Sequence, residues 1–377
     1  MRCVSPVKKR MRIVPNFRRD SVLYLRPFMR GLTMARLSFF AFFAIGTGCL
    51  QAQSLEGYGR GFSGEPLFAS EADYVITALT AEANGRLFYF ESDGLFNGQL
   101  PARIWSRQIG PGGAGAATLL HDLGVNVAAS FLTYSGGRLY IGDSSGAIYS
   151  LNPAGNNLDP LGNVPLHYDG DLHGDSLYLS HRVSGENKVT KFELIPDGNG
   201  GQMLGEGDVI LDAGNEFSGP VKLNASGSLF YGSTAPSGGV YRYSSHDVAG
   251  ASGPGALTLD DAHRFADTPA NAYFATEGAG ALWHVDSSSL SRIDTATATA
   301  ESVATSSDVI GNLEYRNSKL FVVVTDFVGK KSVVHAVVPE PGVVALLAMA
   351  MLLVGRRTRL SARGGPESAA RGCRIIG

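Results

Sequence analysis

The sequence predicts an all-β body made of about six repeated units, and three observations carry that reading. Glycine is abundant, at 48 of 377 residues, and no long apolar stripe recurs at the 3.6-residue period of a helix. A short motif recurs instead: a glycine or small polar residue, an apolar strand, a Gly/Ser/Asp turn, then a second strand. The stretch between about Gln53 and Val338, roughly 285 residues, is long enough to bury a sizeable core.

The openings of this motif follow one another along the chain. Gly85–Phe90 reads Gly-Arg-Leu-Phe-Tyr-Phe, and Gly136–Leu151 is the fullest copy, with both strands and the turn between them. Gly174–Leu179, Gly227–Tyr231 and Ser318–Val323 repeat the opening; Asn271–Thr276 is a degenerate copy, followed by Gly280–Val285. Taking Leu87, Leu139, Leu177, Leu229, Tyr273 and Leu320 as equivalent points gives spacings of 52, 38, 52, 44 and 47 residues. A strand–turn–strand unit at this period resembles the blades of β-propellers. One four-stranded blade cannot bury both its faces, so neighbours must stack around an axis. Six openings imply about six blades. The alternative is a β-sandwich, which does not account for a repeated opening. Tyr149, Tyr178, Tyr231, Tyr241 and Trp283 fall inside strands and read as packing between blades.

The two ends of the chain differ from this body. Leu37–Gly46 is a ten-residue apolar core behind Arg36, too short to span a membrane and of the length of a signal-peptide h-region. Met34 offers a compact start and Ala52 a small residue for cleavage, so the mature chain is expected to begin near Gln53. Residues 1–33 hold nine Lys/Arg and one acid, Asp20, and read as sequence upstream of the true start. At the other end, Val338-Pro339-Glu340-Pro341 precedes the uncharged run Gly342–Gly355, and Arg356, Arg357 and Arg359 follow at once. Those fourteen uncharged residues make a helix of about 21 Å, shorter than the hydrocarbon core, with Val333–Val338 available upstream to lengthen it. The arginines mark the cytoplasmic side.

This tail resembles the PEP-CTERM sorting signal of bacterial exported proteins over Val338–Arg359, with Pro339, Glu340, Pro341, Arg356 and Arg357 as its defining residues. The resemblance implies a transient hold in the inner membrane by a C-terminal transmembrane helix. It further implies an exosortase-type processing enzyme as partner, then delivery to the cell surface or an extracellular polysaccharide matrix. The expected organisation is a basic head and signal peptide (1–52), an exported β-repeat domain (53–337), the sorting signal (338–359) and a basic tail (360–377).

Charge follows the same division. Residues 37–355 hold 16 Lys/Arg against 32 Asp/Glu, a net charge near −16, while the whole chain reads −2. An acidic body excludes nucleic acid as a partner, since binding it needs clustered cations to release counterions. The three cysteines, Cys3, Cys49 and Cys373, all lie in the end segments, so the body has no disulfide framework, thiol nucleophile or cysteine zinc site.

Few residues point to chemistry. Gly142–Gly146 matches G-x-S-x-G, but a strand follows the serine where a nucleophile elbow needs a helix; the segment reads as a hairpin turn. Asp169, Asp171, His173 and Asp175, with His167 and His181 nearby, form the densest metal-competent cluster; an extended strand would set residues 167 to 175 at alternate positions on one face. Asp197, Asn199 and Asp208 take positions 1, 3 and 12 of a possible calcium loop, although Gly201 and Gln202 stand at positions 5 and 6. His121, His246, His263, His284 and His335 are scattered without ligand spacing. No cofactor motif is present, and calcium is the one ion the sequence leaves open. The expectation is a non-catalytic binding or scaffold module, with a propeller hydrolase or lyase using a channel-mouth site near 167–175 as the alternative.

Overall fold

The computed structural model describes residues 54–340, apart from 95–97, 126, 156, 215–218, 234–237, 261, 268–272 and 278–279. The signal peptide and the expected transmembrane helix, with Pro341, Arg356 and Arg357, lie outside the described residues. Among those described, no helix is long and apolar enough to cross a membrane.

Among the described residues six sheets form, antiparallel except for one short parallel pair. The chain opens with β1 (Phe62–Ala69), which joins the last sheet. The first blade is β2 (Tyr74–Ala81), β3 (Arg86–Asp93), β4 (Ala102–Gly110), the short β5 (Gly113–Ala114) and β6 (Thr118–Gly124). The second is β7 (Ala129–Ser135), β8 (Arg138–Asp143), β9 (Ala147–Asn152) and β10 (Asn157–Asn163). The third is β11 (His167–His173), β12 (Ser176–Val183), β13 (Glu186–Pro196) and β14 (Gln202–Gly214). The fourth holds β15 (Val221–Leu223), β16 (Leu229–Ser233), β17 (Gly239–Tyr243) and β19 (Arg264–Ala266), with α1 (Ser245–Gly250) and β18 (Leu257–Thr258) inserted before its last strand. The fifth is β20 (Phe274–Glu277), β21 (Ala281–Asp286), β22 (Ser289–Asp294) and β23 (Ala300–Thr305). The sixth is β24 (Val309–Arg316), β25 (Lys319–Asp326), β26 (Lys331–Pro339) and β1.

The first strands of the blades pack side by side in the order β2, β7, β11, β15, β20, β24, and β24 returns to β2. The ring is therefore closed. The chain is a six-bladed β-propeller, and the sandwich alternative is not realised.

The Leu-aromatic opening explains why. In every blade its leucine sits in the second strand and is fully buried: Leu87, Leu139, Leu177, Leu229, Leu282 and Leu320. Burying each contributes about 1.5–3 kcal/mol, and the next side chain faces the neighbouring blade on the other side. Leu282, not Tyr273, is the equivalent point in blade five. Tyr273-Phe274 imitates the opening but leads into the innermost strand, one hairpin too early. The aromatics pack as expected: Tyr178, Tyr231 and Tyr241 fill the space between blades three and four, and Trp283 that between five and six. Val333–Val338 belongs to β26, paired to β25 and β1, and so does not extend a membrane helix.

Two of the devices that join blades beyond simple stacking are built from the backbone. Residues ahead of β1 lie along β23: Glu56 N donates to Thr305 O at 2.7 Å and Gly59 N to Val303 O at 2.8 Å. A Cβ at Gly59 would fall 2.1 Å from Ser302 O, so only glycine fits there. The second device is the insertion in blade four, whose β18 pairs in parallel with β14 of blade three. Ser244 and Asp247 cap α1 reciprocally, and Val248 and Ala251 enter the core between the two blades.

Candidate functional site

Residues from every inner strand line one small axial channel. Leu79 and Leu132 line one side, and Asp169, Lys222, Tyr273, Asn312 and Glu314 give it polar walls. The polar groups are largely engaged in holding the ring. Asp169 Oδ2 accepts from Val221 N at 2.9 Å, and Asp171 Oδ2 from Leu223 N at 2.8 Å. Two carboxylates on β11 thus satisfy alternate N–H groups of β15, which would otherwise be unpaired toward the axis. Asp171 Oδ1 also accepts from Lys222 Nζ at 2.9 Å. On the opposite side, Asn312 Oδ1 accepts from Leu79 N at 3.1 Å and Ser332 Oγ from Ile76 N at 2.9 Å.

Electrostatics follow from this enclosure. Burial pushes the Asp169 carboxyl up to about 7, against the lowering effect of the Val221 N–H and the Lys222 ammonium. Asp169 keeps some solvent contact through the channel, yet protein surrounds it on all sides. Burial alone would discharge Lys222, but Asp171, Glu314 and Asp169 overturn that and hold it above the ordinary lysine value. Burial raises Glu314, opposed by Lys222 and Arg316. The Tyr273 hydroxyl is pushed up to about 12 by burial and by Asp169.

The 167–175 run does not converge on one site. A bulge between His167 and Asp169 breaks the expected alternation. His167 Nδ1 lies 2.6 Å from Ser130 Oγ, with its ring edge-on to Phe131, in the junction between blades two and three. Its strand partner His181 lies 2.7 Å from Thr190 Oγ1. Burial lowers both histidines, and His181 goes to about 4 with help from His167 and Lys188. Asp169 and Asp171 face the axis, whereas His173 sits against the Gly227 turn and Asp175 is exposed in the turn after β11.

The calcium-loop spacing is not folded as a loop. Asp197 Oδ1 accepts from Asn199 N and Gly201 N at 2.7 and 2.9 Å, closing a tight hairpin turn, while Asp208 on β14 pairs with Lys191 of β13. The six strand steps from Gln202 to Asp208 span about 20 Å, which separates Asp208 from the turn. Among the described residues, no group of three His, Cys, Asp or Glu side chains comes together as a metal cage. Gly142–Gly146 is the β8–β9 turn, with Asp143 Oδ1 accepting from Ser145 N and Ala147 N.

Sequence reasoning missed Lys222, Asn312 and Glu314. The signal was faint: each lies on the first strand of its blade, just upstream of a Leu-aromatic opening, and lines the axis.

No family model and no curated protein matches the chain. Among solved structures it is similar to a calcium-binding protein, regucalcin, from Agrobacterium tumefaciens, at 14% identity over 74% of this chain and 96% of that one, with a TM-score of 0.51. A virginiamycin B lyase from Staphylococcus aureus aligns at 12% identity over 73% and 99% of the two chains (TM-score 0.44). The WD40 β-propeller domain of Doa1 aligns at 10% over 72% and 96% (TM-score 0.45). At such identities the likeness concerns the fold alone.

Proposed function

We propose that this chain is an exported protein carrying a PEP-CTERM sorting signal, and that its propeller is a non-catalytic binding or scaffold module. It is directed to the cell surface or an extracellular polysaccharide matrix, after a brief hold in the inner membrane and handover to an exosortase-type enzyme. The observation that carries this reading is the tail: Pro339-Glu340-Pro341, an apolar run and Arg356-Arg357 in that order. The axial site supports the non-catalytic part. Asp169, Asp171 and Lys222, the charged groups that an acid–base mechanism would recruit, are tied to β15 and to one another.

One observation favours a hydrolase or lyase instead: Glu314 accepts no hydrogen bond among the described residues and faces the same channel as Asp169. Intact-mass analysis of the mature protein from its native host tests the main reading. A product running from about residue 53 to the 339–341 region is expected. A full-length chain in the cytosol would overturn it. A Glu314→Gln variant that loses turnover of a polysaccharide the parent degrades would establish the second reading.

A further inference from the structure

The Pro-Glu-Pro tripeptide does not begin after the fold ends; it begins inside the closing seam. β25 pairs with β26 only as far as Leu320 with Val337. Beyond that point β1 alone holds the strand: Ser63 pairs with Val338, Phe62 with Pro339, and Glu340 N donates to Gly61 O at 2.7 Å. Pro339 has no N–H to give, and at a position without a β25 partner none is needed. The β1 side of this contact is firmly placed. Phe62 is buried edge-on to Trp283, with ring centroids 5.9 Å apart, and the residues before it are clipped to β23.

An enzyme that cuts a peptide takes several residues on either side in extended form, as an added strand. Here β1 already occupies that edge of Val338–Glu340. We propose that the closing seam gates processing: β1 must release the end of β26 before the tripeptide can be engaged. The gate rests on the sorting-signal reading for its biological use, but its physics does not depend on it. Cleavage then follows the frequency with which the last few pairs of the seam open, not global unfolding.

The test uses the full chain with Cys3, Cys49 and Cys373 changed to serine, and a purified proline-specific endopeptidase as probe. Its reaction is hydrolysis of the Pro339–Glu340 bond, with water giving its hydroxyl to the proline carbonyl carbon and its proton to the released amine. In a Ser63→Cys/Val338→Cys variant, oxidation should slow the appearance of the fragment ending at Pro339 by about tenfold or more, and reductant should restore the parent rate. Phe62→Ala should speed it by a similar factor. Oxidised and reduced forms cleaved at the same rate would overturn the gate, and the lock does so even where Phe62→Ala fails to fold. In the native host the two readings separate. A tail removed equally fast with the lock closed sinks the gate and leaves the sorting signal. A tail never removed, from a protein whose purified form still shows the gate, sinks the sorting signal alone.

Discussion

The junction between blades three and four and the closing seam of blade six solve the same problem with different chemistry. At the first, charged groups do the joining: Asp169 and Asp171 cap backbone donors of β15, and Lys222 pairs with Asp171. At the second, the strand β1 is joined by main-chain bonds and by Phe62 buried against Trp283. A charge-built joint responds to protonation and depends on every partner being present. A packing-built joint is indifferent to pH and yields to lost volume. Asp169 and Asp171 therefore need no catalytic role to explain their presence at the axis.

Predictions that break the comparison come in order of size. Phe62→Ala should cost about 3–5 kcal/mol in urea unfolding at any pH, as for other buried aromatics, because the cavity opens at the seam. Gly59→Ala should cost about 1–3 kcal/mol by forcing a Cβ onto the Ser302 carbonyl, again without pH dependence. Ser244→Ala, which removes the cap of α1 in the latch between blades three and four, should cost about 1 kcal/mol.

The smallest effect is the dependence on pH, where two terms oppose each other. Asp169 and Glu91, both raised to about 7, bind more protons folded than unfolded, so their contribution is lost as pH rises from about 4 to 7. His181 and His284, lowered to about 4, bind fewer protons when folded, so theirs is lost as pH falls from 6.5 to about 4. The parent should therefore show a flattened profile. Asp169→Asn should unmask a steeper loss toward acid, seen as a falling urea midpoint between pH 6.5 and 4.5. An unchanged slope would mean that Asp169 ionises freely in the channel.

Much of the ring could be read from the sequence because its cause is local. Each Leu-aromatic opening follows a turn and is buried by its own blade and the next, so the motif and the period survive without any long-range information. The closing strand left no such trace. Phe62–Ala69 contains Pro66 and a bulge between Pro66 and Phe68, which hides its alternation, and its partner lies more than 260 residues away. The axial site was only half visible. Asp169 and Asp171 stood out as a run of acids, but their partner Lys222 sits in the three-residue strand Val221–Leu223, too short to show periodicity. Asp197, Asn199 and Asp208 misled for the opposite reason: their spacing in sequence matched a loop, while the hairpin stretched it along a strand.

A double-mutant cycle on Lys222→Met and Asp171→Asn asks whether the Asp171–Lys222 pair is a joint of the ring. Each single change should bring a large loss, and the double variant should be markedly less damaged than their sum, with a coupling of about 1–3 kcal/mol. Losses that add to within about 0.5 kcal/mol would contradict it, and so would single variants as stable as the parent.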